Sequence, residues 1–256
     1  HFLINGNGKS TIKIIIIGGQ DKDTFTVENP TRLQIYDYKS KENILEFDKN
    51  EVNCTLTDDY SINTFDHNKF KHNFRQILPA LGYNPDGGFQ LGALMHLTKY
   101  NFENNPFSQK HTIGARYYTA TNGFEVSYKT EFANSLKKYN IGFETRYTTP
   151  AFSQNFFGFG NETPNLENDL NIEYYRTRLE QFNAKLSLIR RGRVGSLWNI
   201  SVPFEYIKPN DNDSRFVEQL FTPQQLEAKK FIGIETNYSF ENKNNNYFSV
   251  KIYIVA

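Results

Sequence analysis

In "FEVSYKTEF", residues 124–132, apolar and polar positions alternate without a slip. Phe124, Val126, Tyr128 and Phe132 fall on one side, and Glu125, Ser127, Lys129 and Glu131 on the other. Such alternation predicts a β-strand with one face in water. The pattern recurs at 89–99, 111–121, 138–148, 172–190, 195–206, 231–241 and 246–255. Most of these segments are close to the length that a tilted strand needs to cross a bilayer. In "YNIGFETRY" the apolar set is Tyr139, Ile141, Phe143 and Tyr147, against Gly142, Glu144 and Arg146. In "LWNISVPFEY" it is Trp198, Ile200, Val202, Phe204 and Tyr206. Residues 172–190 keep one phase, but only Phe182 to Leu188 is apolar on that side, which predicts a strand running past the apolar layer.

Before residue 73 the texture differs. "TIKIIIIGG", "DTFTV", "TRLQIYDY", "NILEFD" and "VNCTLT" predict short strands between polar turns, a β-rich unit over 1–72 with little core of its own. The long-strand region is 73–256. Asn122 and Gly123 are placed for a two-residue type I′ hairpin turn. One stretch predicts a helix, "TPQQLEAKKF", with Thr222 as N-cap, Pro223 at the first helical position and Gln225 at the capping-box position.

One short helix cannot cover a sheet of eight or more strands, so the dry face meets a second sheet or lipid. Arg116, Glu125, Lys129, Glu131, Glu144 and Arg146 occupy the wet positions and suit a polar lumen. Aromatic residues near strand ends, such as Phe124, Phe132, Tyr139 and Tyr147, suit interfacial girdles. The same charges could also line the outside of a two-sheet sandwich; lipid is the favoured reading. Counting connections from a periplasmic entry puts the 100–110 loop outside, the Asn122 turn inside, 135–137 outside and 207–230 outside, with 191–194 and 242–245 as inner turns. Parity then requires "AFSQNFFGF", 151–159, to be a short strand of its own before an outer loop through 171. The total is nine strands. Bacterial single-chain barrels have even counts, so the expectation is a barrel that does not close within this chain.

Composition adds to this picture. Among 256 residues there are 23 Phe and 16 Tyr against one Trp, ring-rich strands in a chain of mean hydropathy −0.63, as membrane barrels have. A formal charge of +1 with no basic block gives no footing for nucleic acid. The single Cys54 excludes an internal disulfide and reads as a small half-buried residue. The longest apolar run, Ile14 to Ile17, is far too short for a membrane helix. The sequence opens without Met or a signal peptide and reads as a fragment or a processed product.

Candidate chemistry is sparse. "GGQDKDTF", 18–25, is similar to one copy of a calcium-binding nonapeptide, with Asp21 and Asp23 as candidate ligands. One copy cannot supply the six or more oxygens calcium takes, so the same stretch reads as a solvated turn. The five histidines follow no metal-ligand spacing, and His67 and His72 stand in a polar linker. The acidic pairs Glu125 with Glu131 and Asp58 with Asp59 suit a hydrated lumen or turn better than catalysis. No phosphate-binding glycine loop and no Ser, His and Asp set stands out, so no catalytic residue is assigned. Phe156, Phe157, Gly158, Phe159, Gly160 and Asn161 read either as a strand with close backbone approach at its glycines or as a ligand or lid contact.

"NFRQILPALGYNPDGGFQLG", "NPFSQKHTIGARYYTATNGFEVSY" and "NFFGFGNETPN" together resemble the C-terminal half of a Bacteroidota family. In that family a periplasmic calcineurin-like metallophosphoesterase is fused to an outer-membrane barrel of the Omp85 (bacterial surface antigen, D15) type. The resemblance spans the chain and is strongest over 73–165. It implies an all-β, antiparallel transmembrane β-barrel of 16 strands, of which this chain holds about nine, preceded by a β-rich periplasmic connector. It also implies two divalent metals in the parent's phosphoesterase domain, outer-membrane lipid and other outer-membrane or periplasmic proteins as partners, and the outer membrane of a Gram-negative bacterium as the location.

The chain departs from the family in three places. The metal-ligand signature of the phosphoesterase has no counterpart, so no cofactor is assigned to this chain. The Arg-Gly-aromatic loop motif has only Arg191, Gly192 and Arg193 as a near match, without the aromatic, and these read as a hairpin turn. The chain ends at "KIYIVA" without a terminal aromatic. Membrane anchoring with insertion or translocation of polypeptide or lipid is the leading expectation. A soluble secreted β-sandwich or β-roll binding calcium or glycans is the first alternative, and a barrel serving only to anchor a phosphoesterase is the second.

Overall fold

The computed structural model describes residues 2–5, 13–28, 32–48, 52–66, 71–85, 87–104, 106–160, 172–192, 195–210 and 215–240. The chain divides into two compact units, His1–Lys71 and His72–Ala256.

The first unit has six short strands: β1 (Phe2–Asn5), β2 (Ile14–Ile17), β3 (Thr24–Glu28), β4 (Leu33–Asp37), β5 (Ile44–Glu46) and β6 (Asn53–Leu56). Odd strands form one parallel sheet, β1-β3-β5, and even strands another, β2-β4-β6. The chain changes sheet at every strand, so each coil supplies one strand to each: a parallel β-solenoid. Phe25, Leu33, Ile35 and Val52 form its buried core, with Phe2, Ile16, Leu45 and Cys54 packed against them. Equivalent residues stack from coil to coil, as Phe2 does on Phe25 with centroids 5.1 Å apart.

The corners are stacked as well. Asp23, Asn43 and Asn63 recur at a spacing of twenty; the Asp23 amide donates to Asn43 Oδ1 at 3.0 Å, and Asn43 Nδ2 donates to the Tyr38 carbonyl. Asp37 follows Leu33 and Ile35 on the inward side of β4 and is fully buried. Its Oδ1 accepts the Tyr38 amide at 2.7 Å, while Oδ2 has no partner among the described residues. Gly18, in the neighbouring coil, makes room for this carboxyl, since a Cβ there would lie 2.6 Å from its carbon.

The second unit is one antiparallel sheet. It runs β7 (Phe74–Asn84), β8 (Gly88–Lys99), β9 (Gln109–Tyr118), β10 (Gly123–Leu136), β11 (Tyr139–Asn155), β12 (Arg176–Arg191), β13 (Ser196–Pro209), β14 (Lys229–Ile232) and β15 (Glu235–Phe240). Neighbours in sequence are neighbours in space, a meander, and β14 and β15 both pair with β13. These last two share one register, Phe204 opposite Ile232 and Ser201 opposite Glu235, so they are two halves of a single rail. Pro203 accounts for the break. It has no N–H to give, so its bonding to Gly233 is reduced to the Gly233 amide donating to its carbonyl at 3.1 Å.

Several expectations change here. β7 was not foreseen as a strand; it lies on the edge, carries Pro79 and is exposed on both faces. Residues 151–155 are not a separate strand but continue β11 past a bulge between Thr148 and Phe152, where Pro150 interrupts the ladder. Phe156–Gly160 follow as loop. The hairpin at Asn122 is a four-residue connection, 119–122, with Gly123 already paired to Tyr118. The helix is Phe216–Leu220, α1, ahead of the expected position. At Thr222 half of the capping box forms, its amide donating to Gln225 Oε1 at 2.9 Å, but only one turn follows before β14 begins. Residues 172–175 are a 3-10 turn instead of strand. The expected strand at 246–255 and turn at 242–245 lie outside the described residues.

Adding β7 reverses the sidedness expected for the connections at 100–110, Asn122 and 135–137, and removing a separate strand at 151–159 restores the expected sidedness for the connections after β11. The 100–108 loop shares an end of the sheet with the short turns 137–138 and 192–195 and with the start of β7. The connections 119–122, 156–175 and 210–228 lie at the other end.

Candidate functional site

Pairing in the sheet fixes which side chains share a face. Tyr117 faces Phe124, Tyr147 faces Phe182, and Phe182 faces Tyr206 across successive strands. Ile141 stands opposite Leu188, and Leu188 opposite Ile200. All twelve residues of the expected apolar set fall on this face: Phe124, Val126, Tyr128 and Phe132; Tyr139, Ile141, Phe143 and Tyr147; Trp198, Ile200, Val202 and Phe204. The six expected wet residues fall on the other, with Arg116 opposite Glu125 and Lys129 opposite Glu144.

The apolar face is open over much of its extent. Leu186 is 57% exposed, Phe124 46% and Val202 43%, and Ile77, Leu81, Leu91 and Ile234 are exposed beside them. Contiguous apolar exposure on this scale marks an interaction surface. Rings border it at both ends. One row runs Tyr83, Phe89, Tyr117, Phe124, Tyr147, Phe182 and Tyr206, each on the strand next to the last. The other includes His111, Phe132, Tyr139, Trp198 and Tyr238, with Trp198 opposite Tyr238. The pairs Phe124 and Phe132, Tyr139 and Tyr147, and Trp198 and Tyr206 are each eight positions apart.

Between the rows this face carries no charged side chain among the described residues. Several polar groups on it bond to protein: Tyr128 Oη and Thr130 Oγ1 lie 3.0 and 2.9 Å from Nδ1 of the bordering His111, and Thr145 Oγ1 donates to the Asn183 carbonyl at 3.0 Å. Charges reappear at or beyond the rows. Arg190 lies over the Tyr139 ring at 5.6 Å, and Tyr147 donates to Glu180 at 2.9 Å.

The polar face is a lattice of alternating sign. Glu125 stands between Arg116 at 3.4 Å and Arg146 at 4.0 Å; Lys129 meets Glu144 at 3.1 Å, and Lys185 meets Glu235 at 3.6 Å. Arg191, expected only as part of a turn, grips Glu131 with both Nε and Nη2, the shortest contact being 2.8 Å, while Asn140 donates to the same carboxylate at 2.7 Å. Sequence reasoning missed this pairing because sixty positions separate its members, and only the register of three strands brings them together.

The aromatic loop motif lies at the end with the long connections. Phe156 packs on Phe159, Phe216 and Phe221, and Phe157 on Tyr175, so rings from two connections form one cluster. Gly158 and Gly160 adopt φ of 97° and 84°, which lets the motif turn. Asn161 lies outside the described residues, as do His67 and Arg193. In the first unit Asp21 and Asp23 share a corner of the solenoid. No group of three or more His, Cys, Asp or Glu able to hold a metal occurs among the described residues.

No described helix is long and apolar enough to cross a membrane. No protein-family model matches the chain, and no curated protein matches it. Among solved structures, BamA from Haemophilus ducreyi lacking POTRA domains 1–3 is similar, with a TM-score of 0.41 and 11% identity. The match covers 70% of this chain and 32% of that one, so the chain spans about a third of its length.

Proposed function

We propose that residues 73–256 form part of the wall of an outer-membrane β-barrel, its apolar face against lipid and its polar face toward a hydrated interior. The observation that carries this is the pair of aromatic rows with an uncharged band between them. Eight positions correspond to about 27 Å along a strand, and a tilt of 35–45° reduces that to about 20 Å across the membrane, close to the apolar band of outer-membrane barrels. Sheet geometry in lipid also requires every backbone group to be paired within the sheet, as a meander does for all but its edges.

The arrangement of connections supports an orientation. Outer-membrane barrels have short periplasmic turns and longer external loops. The chain enters β7 at the end with the turns 137–138 and 192–195, and this supports a periplasmic location for the residues that precede it. The finer reading is a barrel of the Omp85 type that handles polypeptide or lipid, in a parent carrying a metallophosphoesterase. It rests on the resemblance of "NPFSQKHTI" and "FFGFGNET", and any hydrolysis belongs to sequence outside this chain.

Trp198 tests the reading because it is the only tryptophan and stands in one of the rows. With the chain folded into vesicles, lipids brominated near the headgroup should quench its emission more than lipids brominated near the acyl terminus. A folded monomer in plain buffer, with emission indifferent to vesicles, would overturn the proposal.

A further inference from the structure

Strands β9 to β12 meet at a cavity of about 290 Å3 on the polar face, near the end with the long connections. Its lining includes Tyr118 and Phe152, edge to face at 4.5 Å, and the polar side chains of Glu125, Arg146, Thr148 and Gln181. The cavity adjoins the bulge in β11, where Pro150 and its neighbours are set off from β12. Gly123 permits that excursion, since a Cβ there would lie 2.8 Å from the Cβ of Ala151. Bulges of this kind commonly re-aim side chains beside binding sites.

Two observations point to a ligand. Thr148 is 4% exposed and its Oγ1 has no partner among the described residues, a hydroxyl able both to donate and to accept. Burying it unpartnered is unfavourable, so the site is completed by a polar group from outside. In addition, Arg146 Nη1 and Glu125 Oε2 stand 4.0 Å apart, too far for a direct hydrogen bond, while Glu125 Oε1 is engaged by Arg116. A donor and an acceptor held that far apart suit adjacent hydroxyls of a sugar ring, one accepting from the guanidinium and one donating to the carboxylate. Gln181 offers both functions on one amide, and the two rings provide an apolar wall for the sugar's C–H groups. The alternating charges around the cavity favour a neutral guest over an ion.

We infer that this cavity is a binding subsite for a neutral saccharide of one or two rings on the interior wall of the sheet. The inference does not depend on what covers the opposite face. Maltose is a suitable probe, measured by saturation-transfer NMR on the full chain in whichever medium gives a folded sheet. Transfer to maltose protons is expected in the native chain, with a several-fold loss in Gln181→Ala. Thr148→Val, nearly the same shape, should show the same loss and serves if the first variant disturbs the sheet, which circular dichroism would reveal. Absence of transfer, or equal transfer in correctly folded variants, would mean that the cavity holds only water and would overturn the inference, whatever Trp198 reports about the membrane.

Discussion

A carboxyl with one hydrogen bond and no access to water resists ionisation, and Asp37 is in that position. Burial raises its pKa above the usual 3.8; the Tyr38 amide opposes the shift only partly, and the charge of Asp23 adds to it. A raised carboxyl pKa means that the folded state holds the proton more tightly than the unfolded one. Its contribution to stability is therefore complete below the unfolded pKa and is lost as pH rises through the folded value. Asp37→Asn keeps the shape without the charge. It should stabilise the solenoid near neutral pH by about 1–2 kcal/mol, with the advantage shrinking in acid; thermal melts of both proteins across pH would show this, and a pH-independent difference would contradict it. Asp58 shifts the other way, lowered by its hydrogen bonds from Ser40, and because both proteins contain it the comparison cancels its effect.

At the scale of elements, the apolar band makes a graded prediction. Val202 lies midway between Trp198 and Tyr206 on β13, so Val202→Arg should cost about 2–4 kcal/mol in a bilayer, whereas Trp198→Arg at the border should lose little from its charge. Guanidinium unfolding in lipid vesicles measures both, and equal costs would argue against a depth gradient. This alternation was legible in sequence wherever one face is apolar throughout, as in β10, β11 and β13. It failed for β7, where Pro79 and apolar residues on both sides of an edge strand hide the period. It failed again at Pro150, which reads as a strand end and is instead a bulge that the long strand passes through. The solenoid's repeat also went unread. Its coils share spacing but hardly any residues, and the one recurring signal, Asp23, Asn43 and Asn63, is weak without the knowledge that parallel strands stack them.

For the molecule as a whole, the connections predict a topology. An epitope inserted in 156–175 should be reached by antibody on intact cells, and one at 137–138 only after the outer membrane is opened; the reverse labelling would invert the proposed orientation. The break at Pro203 adds a mechanical property to this wall. Among the described residues, its last rail hangs from β13 as two short clasps with a weak tooth between them, so 229–232 and 235–240 can let go one at a time without unfastening the strands behind them. Hydrogen exchange should then give these two groups of amides separate opening rates. Pro203→Val, which restores the missing donor, should merge them into one.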